Sequence, residues 1–211
     1  MKAVIWPKYG SPDVLELRDI EKPNPGEDEV LIRKEQEILI NGAAGSIGTF
    51  AVQIAKSLGA QVTAVDGARK LDMLRSIGAD EVIDYTQEDF TRNGKTYDVI
   101  IDVVGKSPYS RSVRSLKPAG RYVLGNPRFS GFFKGLWTSV TSSKKVTAAL
   151  TAYETKNLAF LRELIESEKV KTVIDRRYPL QQVADAHRYV ETGQKTGHVV
   201  ITVDASQPVD E

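Results

Sequence analysis

The chain has 211 residues, with 29 Lys and Arg against 28 Asp and Glu, so its formal net charge is +1. A near-neutral balance argues against a broad electrostatic surface for nucleic acid or anionic membrane, and 41% hydrophobic residues place the chain among ordinary globular proteins. The absence of Cys removes disulfides, thiolate metal sites and thiol nucleophiles; with only His187 and His198, a three-histidine metal site cannot be assembled either, so no metal is expected.

Residues 1–34 carry short strand candidates at Ala3–Trp6, Val14–Arg18 and Val30–Arg33, punctuated by Pro23-Asn24-Pro25-Gly26. They read as antiparallel and without helices. The run Met1–Ile5 is broken by Pro7, which does not suit a signal peptide, and no apolar run reaches the length of a membrane span. The expectation is a cytoplasmic protein with no membrane partner.

From Glu37 the pattern changes. Ile38–Asn41 predicts a strand, followed by a Gly-rich turn. Ile47, Phe50, Ala51, Ile54, Ala55 and Leu58 then recur at helical spacing, and Gly59 supplies the stop that a left-handed C-terminal cap requires. Val62–Val65 predicts a second strand; Leu71, Leu74 and Ile77 predict a helix closed by Gly78. Further strands are expected at Val82-Ile83, Val99–Val104, Tyr122–Leu124 and Val146–Leu150, with helices around Ser110–Leu116 and over Leu158, Leu161 and Ile165. Strands alternating with helices imply parallel βαβ units, hence a doubly wound α/β sheet of the Rossmann type over residues 35–170. Residues 171–211 add a helix with Val183, Ala186, His187 and Val190 on one face, the strand His198–Val203 and a polar tail from Asp204. His187 on that stripe reads as a core histidine.

The informative segment is Gly42-Ala43-Ala44-Gly45-Ser46-Ile47-Gly48, between a strand and an amphipathic helix. Gly45 would let the backbone approach a pyrophosphate, and Gly48 would let the helix pack closely on the strand. The amides of Ala44, Ser46 and Ile47 and the positive end of the helix would then hold phosphates. Ala43 stands where the dinucleotide fingerprint usually has its first Gly. No G-x-x-x-x-G-K-[ST] occurs, which excludes an NTP-hydrolysing P-loop. Asp66 follows Gly48 by 18 residues, placed to accept bonds from an adenosine ribose, whereas Arg69 and Lys70 are placed to neutralise a 2′-phosphate. The residues alone therefore leave NAD(H) and NADP(H) both open.

Several stretches together resemble the quinone oxidoreductase-like branch of the medium-chain dehydrogenase/reductase superfamily. They are Val30–Arg33, Ile38–Gly48, Val62–Asp66, Gly78-Ala79-Asp80, Val82–Tyr85, Tyr97–Gly105, Leu116–Tyr122 and Ala186–Gly193. The resemblance spans essentially the whole chain. It implies a zinc-independent reductase that transfers hydride from a reduced nicotinamide to a quinone, enone or other carbonyl. It also places Lys70 and Tyr85 against the 2′-phosphate of NADP(H) and so puts NADP(H) ahead of NAD(H), while Asp66, where those members carry a small residue, points the other way. Val103, Val104 and Gly105 are implied along the cofactor, Leu124 to Asn126 near the nicotinamide, and Gly197-His198-Val199 closing over it. No catalytic residue follows from the match.

The same resemblance exposes a departure. Family members carry a GroES-like substrate domain before the glycine motif, yet here Arg33 is joined to the first Rossmann strand by Lys34-Glu35-Gln36. Residues 1–34 then read as a remnant of that domain, and 171–211 as its C-terminal return, the two together forming a small residual β lobe. A non-catalytic NAD(P)-binding module, or a truncated reductase completed by oligomerisation, are the alternatives to an active enzyme. Phe129, Phe132, Phe133, Leu136 and Trp137 form an aromatic cluster suited to self-association, so a homo-oligomer is expected.

Overall fold

In the computed structural model, residues 2–5, 16–19, 32, 34–125, 142–148 and 155–202 are described. The chain divides into two compact units, Met1–Leu31 and Ile32–Glu211. In the first, β1 (Lys2–Ile5) and β2 (Glu16–Asp19) pair antiparallel, with Lys2 opposite Asp19.

The second unit holds a six-stranded sheet. Its strands are β3 (Glu37–Asn41), β4 (Gln61–Asp66), β5 (Glu81–Asp84), β6 (Tyr97–Asp102), β7 (Leu116–Leu124) and β8 (Lys145–Ala148). They lie in the order β5-β4-β3-β6-β7-β8, and every pairing is parallel. The order reverses between β3 and β6, which makes their carboxyl ends the topological switch point where doubly wound sheets bind ligands. Burial explains the strand sequences: Ile38, Leu39, Ile40, Val62, Ala64, Val65 and Ile100 are all at most 1% exposed, as a sheet covered on both faces demands. The doubly wound Rossmann fold read from the sequence is the one observed.

Helix α1 (Ser46–Ser57) follows β3 and ends at Leu58, with Gly59 at φ +82° just beyond it. A 3-10 turn (Ala68–Lys70) leads into α2 (Leu71–Ser76), and α3 (Tyr109–Arg114) links β6 to β7. Two boundaries differ from expectation. The strand over 99–104 stops at Asp102; the chain then turns, with Gly105 at φ +67° and its amide donated back to Asp102 Oδ1. The helix over 110–116 stops at Arg114, and Leu116 instead opens β7 and enters the core.

Helix α4 (Thr155–Glu166) buries Leu164, whereas Leu158 and Ile165, whose spacing marks the helix in the sequence, are 69% and 56% exposed. A strand the sequence did not announce, β9 (Ile174–Pro179), pairs parallel with β10 (His198–Thr202), and α5 (Val183–Glu191) connects them. The run Ile174-Asp175-Arg176-Arg177 lacks apolar alternation, so nothing in its pattern marked a strand. His187 corrects the reading of a core histidine: it is exposed, and Ala186 is the buried residue of α5. The β1–β2 and β9–β10 pairs are separate two-stranded sheets among the described residues. The aromatic cluster at 129–137, Asn126, residues 30, 31 and 33 of the strand candidate over 30–33 and the tail from Asp204 lie outside the described residues, and residue 32 is not in a strand. No described helix is long and apolar enough to cross a membrane.

Candidate functional site: the glycine turn and the strap over it

The site begins where β3 ends. Gly42, at φ +83°, turns the chain back, and its amide and that of Ala43 both donate to the carbonyl of Val65 at 3.0 and 3.2 Å. The turn is thus tied to the end of β4. Gly45 is the N-cap of α1 and offers no side-chain cap; the first bond of the helix is from Thr49 N to Gly45 O, 3.0 Å. The amides of Ser46, Ile47 and Gly48 before it have no protein partner among the described residues. Orphan donors at the positive end of a 12-residue helix make an anion cradle.

The two glycines of the cradle do different work. A Cβ on Gly48 would meet the carbonyls of Gly42 and Ala43, the latter oxygen at 2.5 Å, so α1 can approach the turn this closely only with hydrogen there. A Cβ on Gly45 would touch only Gly42 O, at 3.5 Å.

Asp66 departs from its expected role. Its Oδ2 accepts from Ala44 N and its Oδ1 from Gly67 N, both at 2.9 Å, and Lys70 Nζ stands 3.6 Å from Oδ1. The side chain is only 13% exposed. The carboxylate therefore closes the glycine turn onto β4 instead of standing out toward a ribose, and it removes Ala44 N from the set of free amides. Beyond it, Tyr85 lies exposed, its ring 3.6 Å from where a Gly67 Cβ would be.

On the other side of the switch point, the loop after β6 presents Val103, Val104 and Gly105. Val104 is 40% exposed beside Gly42, and Gly105 N donates to Asp102 Oδ1 at 2.8 Å. Leu124 is a correction: it is buried in the core with Leu39, Ile100 and Tyr122, so its side chain does not line the site.

The residues missed from sequence are Gly193 to Thr196. This segment lies as a strap over the turn. Gly197 N donates to Ala44 O at 2.7 Å, Ser46 Oγ donates to Gly197 O at 3.0 Å, and Lys195 Nζ donates to Ser46 Oγ at 2.7 Å and Gly197 O at 2.8 Å. Arg69 bonds Gln194, and Lys70 Nζ reaches Gly193 O at 3.5 Å. The strap is anchored at Asp175, which accepts from Thr196 N and Tyr189 OH. Its approach is fixed by buried Gln53 on α1, which exchanges two hydrogen bonds with the backbone of Lys171, at 2.8 and 2.9 Å. The resemblance pointed to Gly197-His198-Val199 beside it, but not to Lys195.

Lys195 consequently holds an ammonium against the positive end of α1. Burial pushes its pKa below the usual lysine range, and the neighbouring Lys70 pushes it further the same way. His198 packs its ring on Phe50 at 4.8 Å between centroids, one turn along α1 from Ser46; its buried Nε2 has no partner, and burial followed by Lys195 lowers its pKa. Lys70, Lys195, Arg69 and three free amides around one turn form a concentration of positive potential on a molecule whose net charge is only +1.

A parallel sheet in this order with an anion cradle at its switch point defines a dinucleotide-binding domain of the dehydrogenase class. Residues 77–201 match the family described as zinc-binding dehydrogenase, and the chain belongs to that family. Among curated relatives, a chloroplastic quinone-oxidoreductase homologue of Spinacia oleracea is 34% identical over 173 residues, covering 80% of this chain and 53% of the relative. A chloroplastic NADPH-dependent alkenal/one oxidoreductase of Arabidopsis thaliana is 35% identical over 182 residues, covering 82% and 43%. The quinone oxidoreductase of Coxiella burnetii superposes with a TM-score of 0.73 at 27% identity, over 82% of this chain and 54% of that structure. The resemblance to quinone oxidoreductase-like medium-chain dehydrogenase/reductases is thereby borne out, and the chain spans about half the length of the curated relatives it matches.

The family name implies zinc, and the donors present do not suit it. The chain has no Cys, and among the described residues no three His, Cys, Asp or Glu side chains converge. His187 is exposed on α5 while His198 is stacked on Phe50. A dinucleotide suits the site better, because the amides of Ser46, Ile47 and Gly48 are free at the start of α1, a Cβ on Gly45 would meet only Gly42 O, and Lys195 Nζ bonds Ser46 Oγ beside them.

Proposed function

We propose that the chain binds NADPH at the glycine turn and serves a quinone- or enone-reducing reaction. When bound, the reduced nicotinamide supplies a hydride, and a proton from water completes the reduction of the quinone or activated alkene. The protein's own share is binding and positioning. The amides of Ser46, Ile47 and Gly48 and the Lys195 ammonium would hold the diphosphate, while Val103 and Val104 offer an apolar wall from the loop after β6.

The preference for NADPH over NADH is carried by one observation, the inward engagement of Asp66. An acid at this strand end usually selects NAD(H) by accepting from the ribose hydroxyls and repelling a 2′-phosphate. Here both carboxylate oxygens are taken by backbone amides and the charge faces Lys70. Arg69, Lys70 and exposed Tyr85 then border the ribose end with cations and a phenol. The names of the curated relatives, which include NADPH-dependent and quinone reductases, support the same reading.

Titration calorimetry with NADPH and NADH tests the binding, followed by spectrophotometric NADPH oxidation with a benzoquinone and an alkenal as acceptors. The expected result is NADPH binding at least about tenfold tighter than NADH, a difference of about 1.4 kcal/mol, and turnover with one acceptor class. Equal affinities overturn the preference, and no binding of either nucleotide overturns the reading. Binding without turnover of either acceptor assigns the chain instead to a non-catalytic nucleotide-binding role.

A further inference from the structure

The side chain of Asp102 is fully buried at the carboxyl end of β6, and the nucleotide-binding contacts above do not use it. Its Oδ1 accepts from Asn41 Nδ2 at 2.9 Å and from Gly105 N at 2.8 Å; its Oδ2 accepts from Tyr122 OH at 2.8 Å. No described Lys, Arg or His forms an ion pair with it. Asn41 Nδ2 also donates to Ser107 Oγ at 3.0 Å, and Gly125 N donates to Asp102 O at 2.8 Å. The Tyr122 phenol is raised far above its usual range, by burial first and by the Asp102 carboxylate second, so it remains a proton donor.

The placement of these partners is what matters. Asn41 is the last residue of β3 and immediately precedes the glycine turn. Gly105 and Ser107 belong to the loop that follows β6. Tyr122 lies at the end of β7, and Gly125 immediately follows it. One carboxylate therefore gathers the ends of three adjacent strands at the switch point. A buried carboxylate without a cation is costly, and a branched apolar residue would fill a sheet interior at less cost. Its three neighbours at this position all donate to it, so the position needs acceptor oxygen that an apolar residue lacks.

We propose that Asp102 is a positioning residue: through Asn41 and Gly105 it holds the glycine turn and the Val103–Gly105 loop at one fixed separation, the one a dinucleotide spans. The proposal rests on the nucleotide-binding reading for its ligand, and its coupling of the two loops is independent of that reading. Tyr122 fixes the carboxylate from the β7 side and touches neither loop, so it stabilises without positioning.

The variants Asp102→Leu, Asp102→Asn, Asn41→Ala and Tyr122→Phe of the full chain decide it, read by amide hydrogen exchange without nucleotide, by NADPH affinity and by thermal melting. Asp102→Leu is expected to speed exchange in residues 42–48 and 103–107 together, leaving β4 and β5 protected, and to weaken NADPH binding by about tenfold or more. Asp102→Asn keeps an acceptor for Asn41 and Gly105, since the Tyr122 hydroxyl can turn to accept from its amide; it is expected to restore both readouts. Tyr122→Phe lowers the melting temperature and leaves affinity near wild type. If Asp102→Leu does not fold, Asn41→Ala, which cuts the link to the glycine turn and leaves the carboxylate in place, is expected to give the same paired loosening. Exchange that rises uniformly over the sheet, or in 103–107 alone, overturns the proposal. A wild-type chain that binds no nucleotide refutes the nucleotide reading, while the exchange data still decide whether Asp102 joins the two loops.

Discussion

At the residue scale, the chemistry concentrates in charges that face one another across the glycine turn. Lys195 carries an ammonium whose pKa is lowered by burial and by Lys70, against the positive end of α1. A diphosphate arriving there supplies the missing negative charge and raises that pKa again. Because the free site binds its proton more weakly than the occupied one, binding takes up protons over the alkaline range between the two pKa values, and affinity falls as pH rises through it. Calorimetry in two alkaline buffers of different ionisation heat should show this uptake, and Lys195→Met should abolish it while weakening binding by about tenfold. Identical apparent heats in the two buffers would count against the role given to Lys195. Gly45 and Gly48 make a second residue-scale contrast. Gly45→Ala adds a methyl where only Gly42 O lies in ordinary contact, so melting should hardly change while NADPH affinity drops. Gly48→Ala drives a methyl into two carbonyls and should cost about 1–3 kcal/mol in denaturant unfolding.

At the scale of elements, α1 and the strap act as one device. Gln53, buried on α1, pairs with the backbone of Lys171, and Ala44 and Ser46 bond Gly197, so the helix that bears the cradle also fixes the segment that covers it. Helix α4 shows how far burial departs from sequence pattern. Leu164 meets the core at 5% exposure, whereas Leu158 is 69% exposed. Leu164→Ala should therefore cost about 2–5 kcal/mol, and Leu158→Ala should stay within about 0.5 kcal/mol, by chemical denaturation. A larger loss at Leu158 would mean that another surface covers it in solution. The helix spacing over Leu158, Leu161 and Ile165 was readable, but which stripe turns inward depends on where the sheet lies relative to the helix, and spacing carries no such information.

At the scale of the whole molecule, every residue of the proposed site lies in the unit Ile32–Glu211. A chain of residues 32–211 should then bind NADPH with the affinity of the full chain; a lost affinity would show that the first unit takes part. Because the chain spans about half the length of the curated relatives it matches, this truncation checks how much of the chain the proposed nucleotide binding needs.

The order of strands and helices over residues 37–124 was legible from local pattern. Buried parallel strands are continuous apolar runs, amphipathic helices repeat at their own period, and Gly42, Gly48 and Gly59 mark turns and close approaches that other residues cannot make. Those are properties of neighbours along the chain. The direction of the Asp66 carboxylate, the arrival of Lys195 at Ser46, the burial of Leu124 and the clustering of Asn41, Gly105 and Tyr122 on Asp102 were decided only by tertiary structure. Asp66 lies 22 residues from Ala44, and Lys195 lies 149 from Ser46. Hydrogen bonds over such separations depend on how the sheet stacks its strands and where its covering segments land, and no periodicity in the sequence encodes that distance.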